Sequence, residues 1–218
     1  SNPHFLLGTI LLGKKKLKEA EQSLRKTIEL KPDFIQAHFK LGAVLQDLGQ
    51  LQEAELSTRK AIELNPNLFN SHFLLGTILI RQNKLKEAEK SLRKAIEIQP
   101  DYVQAHLSLG AVLKDVGQLK EAELSTRKAI ELNPNSANAH SNLAAIFRSL
   151  GKLQESENSY RQAIELNPSF AEAHFNLGNI FNDLGQLKEA ENAYRKAIEI
   201  KPDLVEAHSN LGNILKSL

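Results

Sequence analysis

Residues 171–204 read AEAHFNLGNIFNDLGQLKEAENAYRKAIEIKPDL, and the order of large and small side chains in this stretch decides the fold. Two apolar stripes recur at steps of three and four residues, the spacing that places side chains on one face of an α-helix. They consist of His174, Leu177, Phe181 and Leu184, and of Leu187, Ala190, Tyr194, Ala197 and Ile198. Gly185 separates them where a helix commonly ends in the left-handed conformation, and Pro202 closes the second stripe. The stretch therefore predicts two helices joined by a short turn.

This pattern returns at one constant interval along the chain, and regular internal repeats determine a fold as a whole. One series is Pro32, Pro66, Pro100, Pro134, Pro168 and Pro202. Another is His4, His38, His72, His106, His140, His174 and His208. We predict one domain, 1–218, whose repeats span 1–34, 35–68, 69–102, 103–136, 137–170 and 171–204, with a partial repeat at 205–218.

The repeats predict an all-α solenoid of antiparallel helix pairs, six pairs plus one terminal helix. One pair cannot bury its apolar face alone, so each repeat must stack on the next. Gly178 on the first helix, with Ala190 and Ala197 on the second, would let the two backbones approach closely. We expect the polar residue after each proline to cap the following helix. These residues are Asp33, Asn67, Asp101, Asn135, Ser169 and Asp203.

The repeat resembles the tetratricopeptide repeat family, whose unit has the same length as the interval between consecutive prolines here. The matching positions in the sixth repeat are Leu177, Gly178, Phe181, Ala190, Tyr194, Ala197 and Pro202. Histidine replaces the family's usual tryptophan or other aromatic residue at the fourth position. The resemblance implies a right-handed superhelical solenoid that binds proteins or peptides, with the first helix of each pair lining a concave groove.

Composition excludes several other classes of function. The formal net charge is +2, from 28 basic and 26 acidic residues, which is too balanced to indicate binding to nucleic acid or to a membrane surface. The sequence has no cysteine, so disulfides, thiolate metal sites and cysteine nucleophiles are excluded. No apolar run approaches the roughly 18 residues that span a bilayer, and we see no signal peptide. We expect a cytoplasmic protein.

Neither a metal site nor a catalytic site is indicated by the polar residues. Equivalent histidines of stacked repeats should lie about 8–10 Å apart, whereas zinc ligands lie about 2 Å from the ion. The sequence has no nucleophile beside a base, no phosphate-binding glycine loop and no HExxH motif. We therefore expect no metal, no cofactor and no enzymatic activity within these residues, although a catalytic domain outside them is an open alternative.

Asparagines in the later repeats are the clearest candidates for binding. Asparagine is a mediocre helix former, and its amide can pair with both the C=O and the N–H of an extended peptide. The predicted peptide-binding residues of the concave face are Asn142, Asn176, Asn179, Asn210, Asn213, Phe39, Phe73, Phe175 and Arg148. Alternatively, the asparagines are solvated residues kept by repeat duplication.

Two known modes of recognition bear on these residues. The Asn-Leu-Gly-Asn segments at 176–179 and 210–213 resemble the asparagine ladder in the repeats of O-linked N-acetylglucosamine transferases. That resemblance implies the substrate-targeting arm of a glycosyltransferase as an alternative function. A clamp for a partner's C-terminal carboxylate is disfavoured, because Phe175 stands where that mode has lysine.

The two ends of the sequence suggest a third function. The sequence opens almost directly in a predicted helix at His4 and closes inside another at Leu218, with no polar capping helix visible. Solenoids usually need polar terminal repeats for solubility. We expect exposed apolar surface at both ends and end-to-end self-association, so a self-assembling structural array is a further alternative.

Overall fold

A computed structural model describes residues 2–217, and within this range thirteen α-helices and no strand are present. Ser1 and Leu218 lie outside the described residues. The helices are α1 (Pro3–Gly13), α2 (Leu17–Leu30), α3 (Ile35–Asp47), α4 (Leu51–Leu64), α5 (Phe69–Arg81), α6 (Leu85–Ile98), α7 (Val103–Asp115), α8 (Leu119–Leu132), α9 (Ala137–Ser149), α10 (Leu153–Leu166), α11 (Ala171–Asp183), α12 (Leu187–Ile200) and α13 (Val205–Ser217). The all-α prediction is confirmed.

The chain divides into two compact units, an N-terminal unit of residues 1–112 and a C-terminal unit of residues 113–218. In the N-terminal unit the helices pack as the pairs α1–α2, α3–α4 and α5–α6. In the C-terminal unit α9 packs with α10, α11 with α12, and α13 against α12. Within each unit, second helices also contact the first helix of the next pair, as α2–α3 and α10–α11 do. Packing of helix pairs in succession is confirmed, whereas a single domain over 1–218 stays a prediction.

The turn inside each pair depends on one residue in the left-handed conformation. Gly185 has a φ of +74°, and the N–H of Gln186 donates to the carbonyl oxygen of Phe181 over 2.8 Å. This bond satisfies a carbonyl that the helix end leaves unpaired. The equivalent residues are Lys15, Gly49, Asn83, Gly117 and Gly151, all with positive φ. The role predicted for Gly185 is confirmed.

Several helix pairs close where a glycine of the first helix faces a larger side chain of the second. A Cβ added to Gly178 would lie 2.6 Å from a ring carbon of Tyr194, and one added to Gly76 would lie 2.8 Å from Leu92. Ala190 is completely buried. The prediction that small residues allow the backbones to approach is therefore confirmed.

The predicted N-caps are wrong by one residue where the structure describes the cap. The capping positions are Phe34, Leu68, Ser136 and Phe170. Of these four, Ser136 alone accepts a side-chain hydrogen bond from its helix, from the N–H of Ala139. The residue after the proline belongs to the turn instead. Asn65 and Asn167 hold that turn in two repeats, since their side chains accept from the N–H groups of Asn67 and Ser169.

The histidines join consecutive repeats through hydrogen bonds. In six repeats, from His38 to His208, Nε2 lies 2.7–3.0 Å from the carbonyl oxygen of the proline six residues earlier. A carbonyl oxygen only accepts, so Nε2 carries the proton. The position of the histidines on an apolar stripe leads one to expect that all of them are buried. That expectation is wrong, because among the described histidines only His38 and His106 are buried. His4, His72, His140 and His174 are half-buried, and His208 is exposed.

Candidate functional site

Three side chains from α11, α12 and α13 meet in the C-terminal unit. The hydroxyl of Tyr194 donates to Oδ1 of Asn179 over 2.8 Å, and Nδ2 of Asn210 donates to the same oxygen over 2.9 Å. We call Asn179, Tyr194 and Asn210 the asparagine–tyrosine cluster. The structure thus brings together two of the predicted asparagines from consecutive repeats and adds a tyrosine.

The amide oxygen of Asn179 fixes the direction of both hydrogen bonds, because it can only accept. Tyr194 is 1% exposed, and this burial raises the pKa of its hydroxyl, although contact with Asn210 acts in the opposite direction. The hydroxyl therefore keeps its proton at neutral pH and acts as a donor. Because Oδ1 of Asn179 accepts both bonds, the NH₂ group of Asn179 faces away from Tyr194 and is presented as a donor.

A small cavity of about 90 Å³ adjoins the cluster. It is lined by Asn182, Tyr194, Asn210, Asn213 and Ile214. Since a water molecule occupies about 30 Å³ in the liquid, the cavity has room for a few waters or one small polar group. Its polar lining consists of amides and a phenol without a formal charge, which suits a neutral hydrogen-bonding ligand such as a peptide group.

Arg148 forms an ion pair with Asp183 beside this region. Two nitrogens of its guanidinium lie 2.8 and 2.9 Å from Oδ2 of the carboxylate, linking α9 to α11. The pair is partly exposed, so it contributes less than about 1 kcal/mol to the free energy of unfolding. The predicted binding residue Arg148 therefore has an internal partner that neutralises much of its charge.

Of the remaining predicted residues of the C-terminal unit, Phe175 contacts the cluster, whereas within the described part of the chain Asn142 and Asn176 form no side-chain hydrogen bond with it. The ring of Phe175 packs 5.9 Å from that of Tyr194, measured between centroids. Asn142 and Asn176 are half-buried, and among residues 2–217 no side-chain hydrogen bond joins them to the cluster.

Phe39 and Phe73 lie in the N-terminal unit. Phe39 lines a cavity between α3 and α5, and Phe73 packs edge-on against Tyr102 with ring centroids 5.0 Å apart. That all nine predicted residues line a single groove stays a prediction.

Sequence reasoning missed Asn182, Asp183 and the bonding role of Tyr194. Asn182 and Asp183 occupy the twelfth and thirteenth positions of their repeat, which belong to the same helical stripe as the predicted asparagines. That spacing was a usable signal. Tyr194 reads as a packing residue, and nothing in the order of residues indicates that its hydroxyl reaches Asn179.

Neither a metal-binding cluster nor a membrane-spanning helix is present among residues 2–217. No group of three or more histidine, cysteine or acidic side chains is arranged to hold a metal ion. None of the described helices is both long and apolar enough to cross a membrane.

These features define a helical repeat protein with an amide-bearing surface, and the family follows from sequence models. Models described as TPR repeat match residues 76–117, 145–182 and 178–218, which together exceed half of the chain. Tetratricopeptide repeat models also match residues 35–68, 58–90, 126–158, 2–34 and 103–136. The chain belongs to the tetratricopeptide repeat family.

Solved structures show the same fold at low sequence identity. YrrB, described as a TPR protein with an unusual peptide-binding site, is 24% identical with a TM-score of 0.68, over 86% of this chain and 96% of its own. PilF of Pseudomonas aeruginosa is 19% identical with a TM-score of 0.81, over 96% of each chain. The APC/C hetero-tetramer Cut9–Hcn1 gives 18% identity and a TM-score of 0.82, over 97% of this chain and 42% of that one. No relative among curated proteins matches the chain.

Proposed function

We propose that this chain is a scaffold that binds an extended segment of a partner protein, and that the asparagine–tyrosine cluster contacts the backbone of that segment. The observation that carries the proposal is the shared acceptor, Oδ1 of Asn179, which receives hydrogen bonds from both Tyr194 and Asn210. These bonds hold two amides of consecutive repeats in fixed orientations before any partner arrives. Preorganisation of this kind lowers the entropy lost on binding.

The chemistry of the surroundings supports a peptide backbone as the ligand. The NH₂ group of Asn179 can donate to a peptide carbonyl, and Asn210 retains an acceptor oxygen and a second N–H. Asn213 and Asn182 extend the row of amides around the small cavity. Family membership and the peptide-binding site named for YrrB support the same class of function.

To test the proposal, peptides that bind the intact protein are selected from a random library of unstructured peptides, and their affinity is then measured on variants. Asn176→Ala combined with Asn210→Ala should weaken their affinity by roughly 25-fold, because about one net hydrogen bond, equivalent to about fivefold in affinity, is lost at each of the two sites. The melting temperature should fall only slightly, since the variant loses the bond from Asn210 to Asn179 but the buried hydroxyl of Tyr194 keeps its acceptor on Asn179. Asn179→Ala is a poorer probe, because it leaves the buried hydroxyl of Tyr194 without its partner.

Asn158, an exposed asparagine of α10, offers the matched control. Asn158→Ala removes the same amide from a helix surface away from the cluster, and the selected peptides should bind this variant as they bind the parent. The proposal fails if the double variant and Asn158→Ala bind the peptides equally well.

Self-association is a second candidate, favoured by exposed apolar side chains on the first and last helices. On α1, Leu6 and Ile10 are 48% and 56% exposed, and on α13 Val205 is 73% exposed. Sedimentation velocity across a hundredfold concentration range should show species larger than the monomer, and Ile10→Lys should remove them. Leu56→Lys, at a leucine of α4 that is 69% exposed and so more exposed than Ile10, should leave them in place. A monomer at all concentrations would exclude this function.

The targeting arm of a glycosyltransferase stays a prediction from the resemblance of residues 176–179 and 210–213. The gene sequence on both sides of residues 1–218 decides it: a catalytic domain on either side would support the arm, and its absence from both sides would exclude it.

A further inference from the structure

A cavity of about 170 Å³ lies in the N-terminal unit between α3 and α5. Its lining residues are Ile35, Gln36, Phe39, Leu68, Asn70 and Ser71. We call this cavity the Phe39 pocket. Ile35, Phe39 and Leu68 give it apolar walls, and no acidic or basic side chain lines it. A cavity of about 150 Å³ with apolar walls can hold a benzene molecule, so the Phe39 pocket is large enough for one aromatic ring.

One lining residue, Ser71, has a polar atom without an internal partner. Ser71 is completely buried, and its Oγ forms no hydrogen bond within the described residues. Five other repeats have alanine at the equivalent position, and the first repeat has Pro3; the alanines are Ala37, Ala105, Ala139, Ala173 and Ala207. Since alanine satisfies the packing at this position, the fold does not require the hydroxyl, and an unsatisfied buried hydroxyl destabilises a protein. A ligand atom that bonds Ser71 would give this hydroxyl a role.

The next repeat shows which group fits the same place. Tyr102 packs edge-on against both Phe69 and Phe73, with ring centroids 5.0 Å apart in each case. One repeat earlier, the residues equivalent to Tyr102 and Phe73 are Leu68 and Phe39. Leucine is shorter than tyrosine, so the volume that a tyrosine ring occupies in one repeat is left open in the other.

The mouth of the pocket carries two amides. Gln36 and Asn70 are exposed and line the same cavity. Glutamine and asparagine each offer both a donor and an acceptor, which matches the two polar groups of a peptide backbone. An extended segment could therefore be held at the mouth while one of its side chains enters the pocket.

We propose that the Phe39 pocket binds a tyrosine side chain of an extended partner segment, with the ring against Phe39 and the phenolic oxygen hydrogen-bonded to Oγ of Ser71. A phenylalanine would fill the volume but leave Ser71 unsatisfied. A lysine or arginine would be buried without a counter-charge in the lining. The inference does not rest on the asparagine–tyrosine cluster, which belongs to the other unit.

Methyl NMR titration of the intact chain tests the proposal with two five-residue peptides, acetylated Gly-Ser-Tyr-Ser-Gly amide and its phenylalanine analogue. The tyrosine peptide should shift the methyl signals of Ile35 and Leu68 and bind about fivefold more tightly than the analogue, the effect of one hydrogen bond. Ser71→Ala should erase this preference, because the variant offers neither peptide a partner for the hydroxyl.

Leu68→Tyr should abolish binding of both peptides, because its own ring would fill the pocket as Tyr102 does in the next repeat. The matched control is Leu204→Tyr, the same change at the equivalent position of the C-terminal unit, which should leave binding intact. The methyl signals of Ile35 and Leu68 report on the Phe39 pocket and not on the asparagine–tyrosine cluster, so failure here can be told apart from failure of the proposed function.

Three results would overturn the proposal: no shift with the tyrosine peptide, equal affinity for the two peptides, or a preference that survives Ser71→Ala. If Leu68→Tyr lowers the melting temperature strongly, the comparison of peptides on the parent protein and on Ser71→Ala decides alone. Since Ser71→Ala restores the residue found in the other repeats, we expect that variant to fold normally.

Discussion

The two units build their helix pairs on the same plan but use different side chains around it. In the N-terminal unit the residues that face the glycines of the first helices are Leu24, Thr58 and Leu92. At the equivalent position the last two full repeats of the C-terminal unit have Tyr160 and Tyr194. The tyrosines bury rings where the N-terminal unit buries the smaller side chains of leucine and threonine.

The arginines of the second helices also have different partners in the two units. In the N-terminal unit Arg59 reaches across to Glu87 of the next repeat, 3.0 Å away. In the C-terminal unit the guanidinium of Arg161 lies over the ring of Phe181, 5.4 Å from its centroid. The comparison shows that a helix pair needs a small residue on its first helix opposite a larger residue on its second. The polar side chains around this contact differ between the two units.

The largest effect should come from closing the glycine contact in the C-terminal unit. Gly178→Ala places a methyl group against the buried ring of Tyr194, and such overpacking should lower the free energy of unfolding by about 3 kcal/mol. Gly212→Ala is the control, because nothing lies within 4 Å of its added Cβ. It should raise stability by up to about 1 kcal/mol through helix propensity. Urea unfolding measures both, and a loss at the two positions alike would contradict the packing argument.

Alkaline pH should weaken the C-terminal unit through Tyr160. Burial raises the pKa of this tyrosine from 10 to about 12, with a small opposing effect from the charge of Arg148. Between pH 10 and pH 12 the hydroxyl of Tyr160 keeps its proton in the folded chain but loses it in the unfolded chain. The free energy of unfolding is therefore unaffected by this group below pH 10 and decreases as the pH rises to 12.

The loss at pH 11.5 should be about 2 kcal/mol, by the usual conversion of pKa shifts. Tyr160→Phe removes the titrating hydroxyl, so unfolding curves at pH 9 and 11.5 should show the parent losing that much more stability than the variant. Equal losses in the two proteins would contradict the prediction.

A substitution in one of the turns should raise the free energy of unfolding, by less than the changes above lower it. The C-terminal unit has glycine at its left-handed positions, whereas the N-terminal unit has Lys15, with a φ of +57°, in one turn. Lys15→Gly should stabilise by about 1 kcal/mol, because a side chain in this conformation is strained. Lys14 has a φ of −92°, so Lys14→Gly should stabilise nothing. Thermal unfolding compares the two variants, and equal effects would remove the argument from strain.

The smallest effect should come from the arginines. Arg59→Gln should cost about 0.5 kcal/mol at low salt and almost nothing in 1 M NaCl, because exposed ion pairs are weak and screened. Arg161→Gln should lower the free energy of unfolding by a similar amount at low and at high salt, because in the parent protein the contact of Arg161 with the ring of Phe181 persists in 1 M NaCl. Both arginines also pair with a glutamate one turn earlier, Glu55 and Glu157, so the two variants are matched. Identical dependence on salt would contradict this distinction.

Most of the fold could be predicted because its determinants are local. The helical stripes, Gly185 in its turn and the close contact at Gly178 all follow from spacing within one repeat. The capping residues were misplaced by one because the residue after each proline belongs to a turn, which in two repeats is held by Asn65 or Asn167.

The candidate site could be predicted only in part. The asparagines stand out by residue type, so Asn179 and Asn210 could be named in advance. Their shared partner could not, because the contact of Tyr194 with Asn179 depends on how two helices pack against each other. The bonds from histidine to proline were missed although the signal was present, since the two residues recur together six positions apart in every full repeat boundary.

That pairing of histidine with proline has an evolutionary consequence. Each bond involves only the end of one repeat and the start of the next, as His174 with Pro168 shows. Unequal recombination that adds or removes whole repeats in phase therefore keeps every donor beside an acceptor. The gene can change the number of units without inventing a new junction, and selection can then alter the surface of each copy separately.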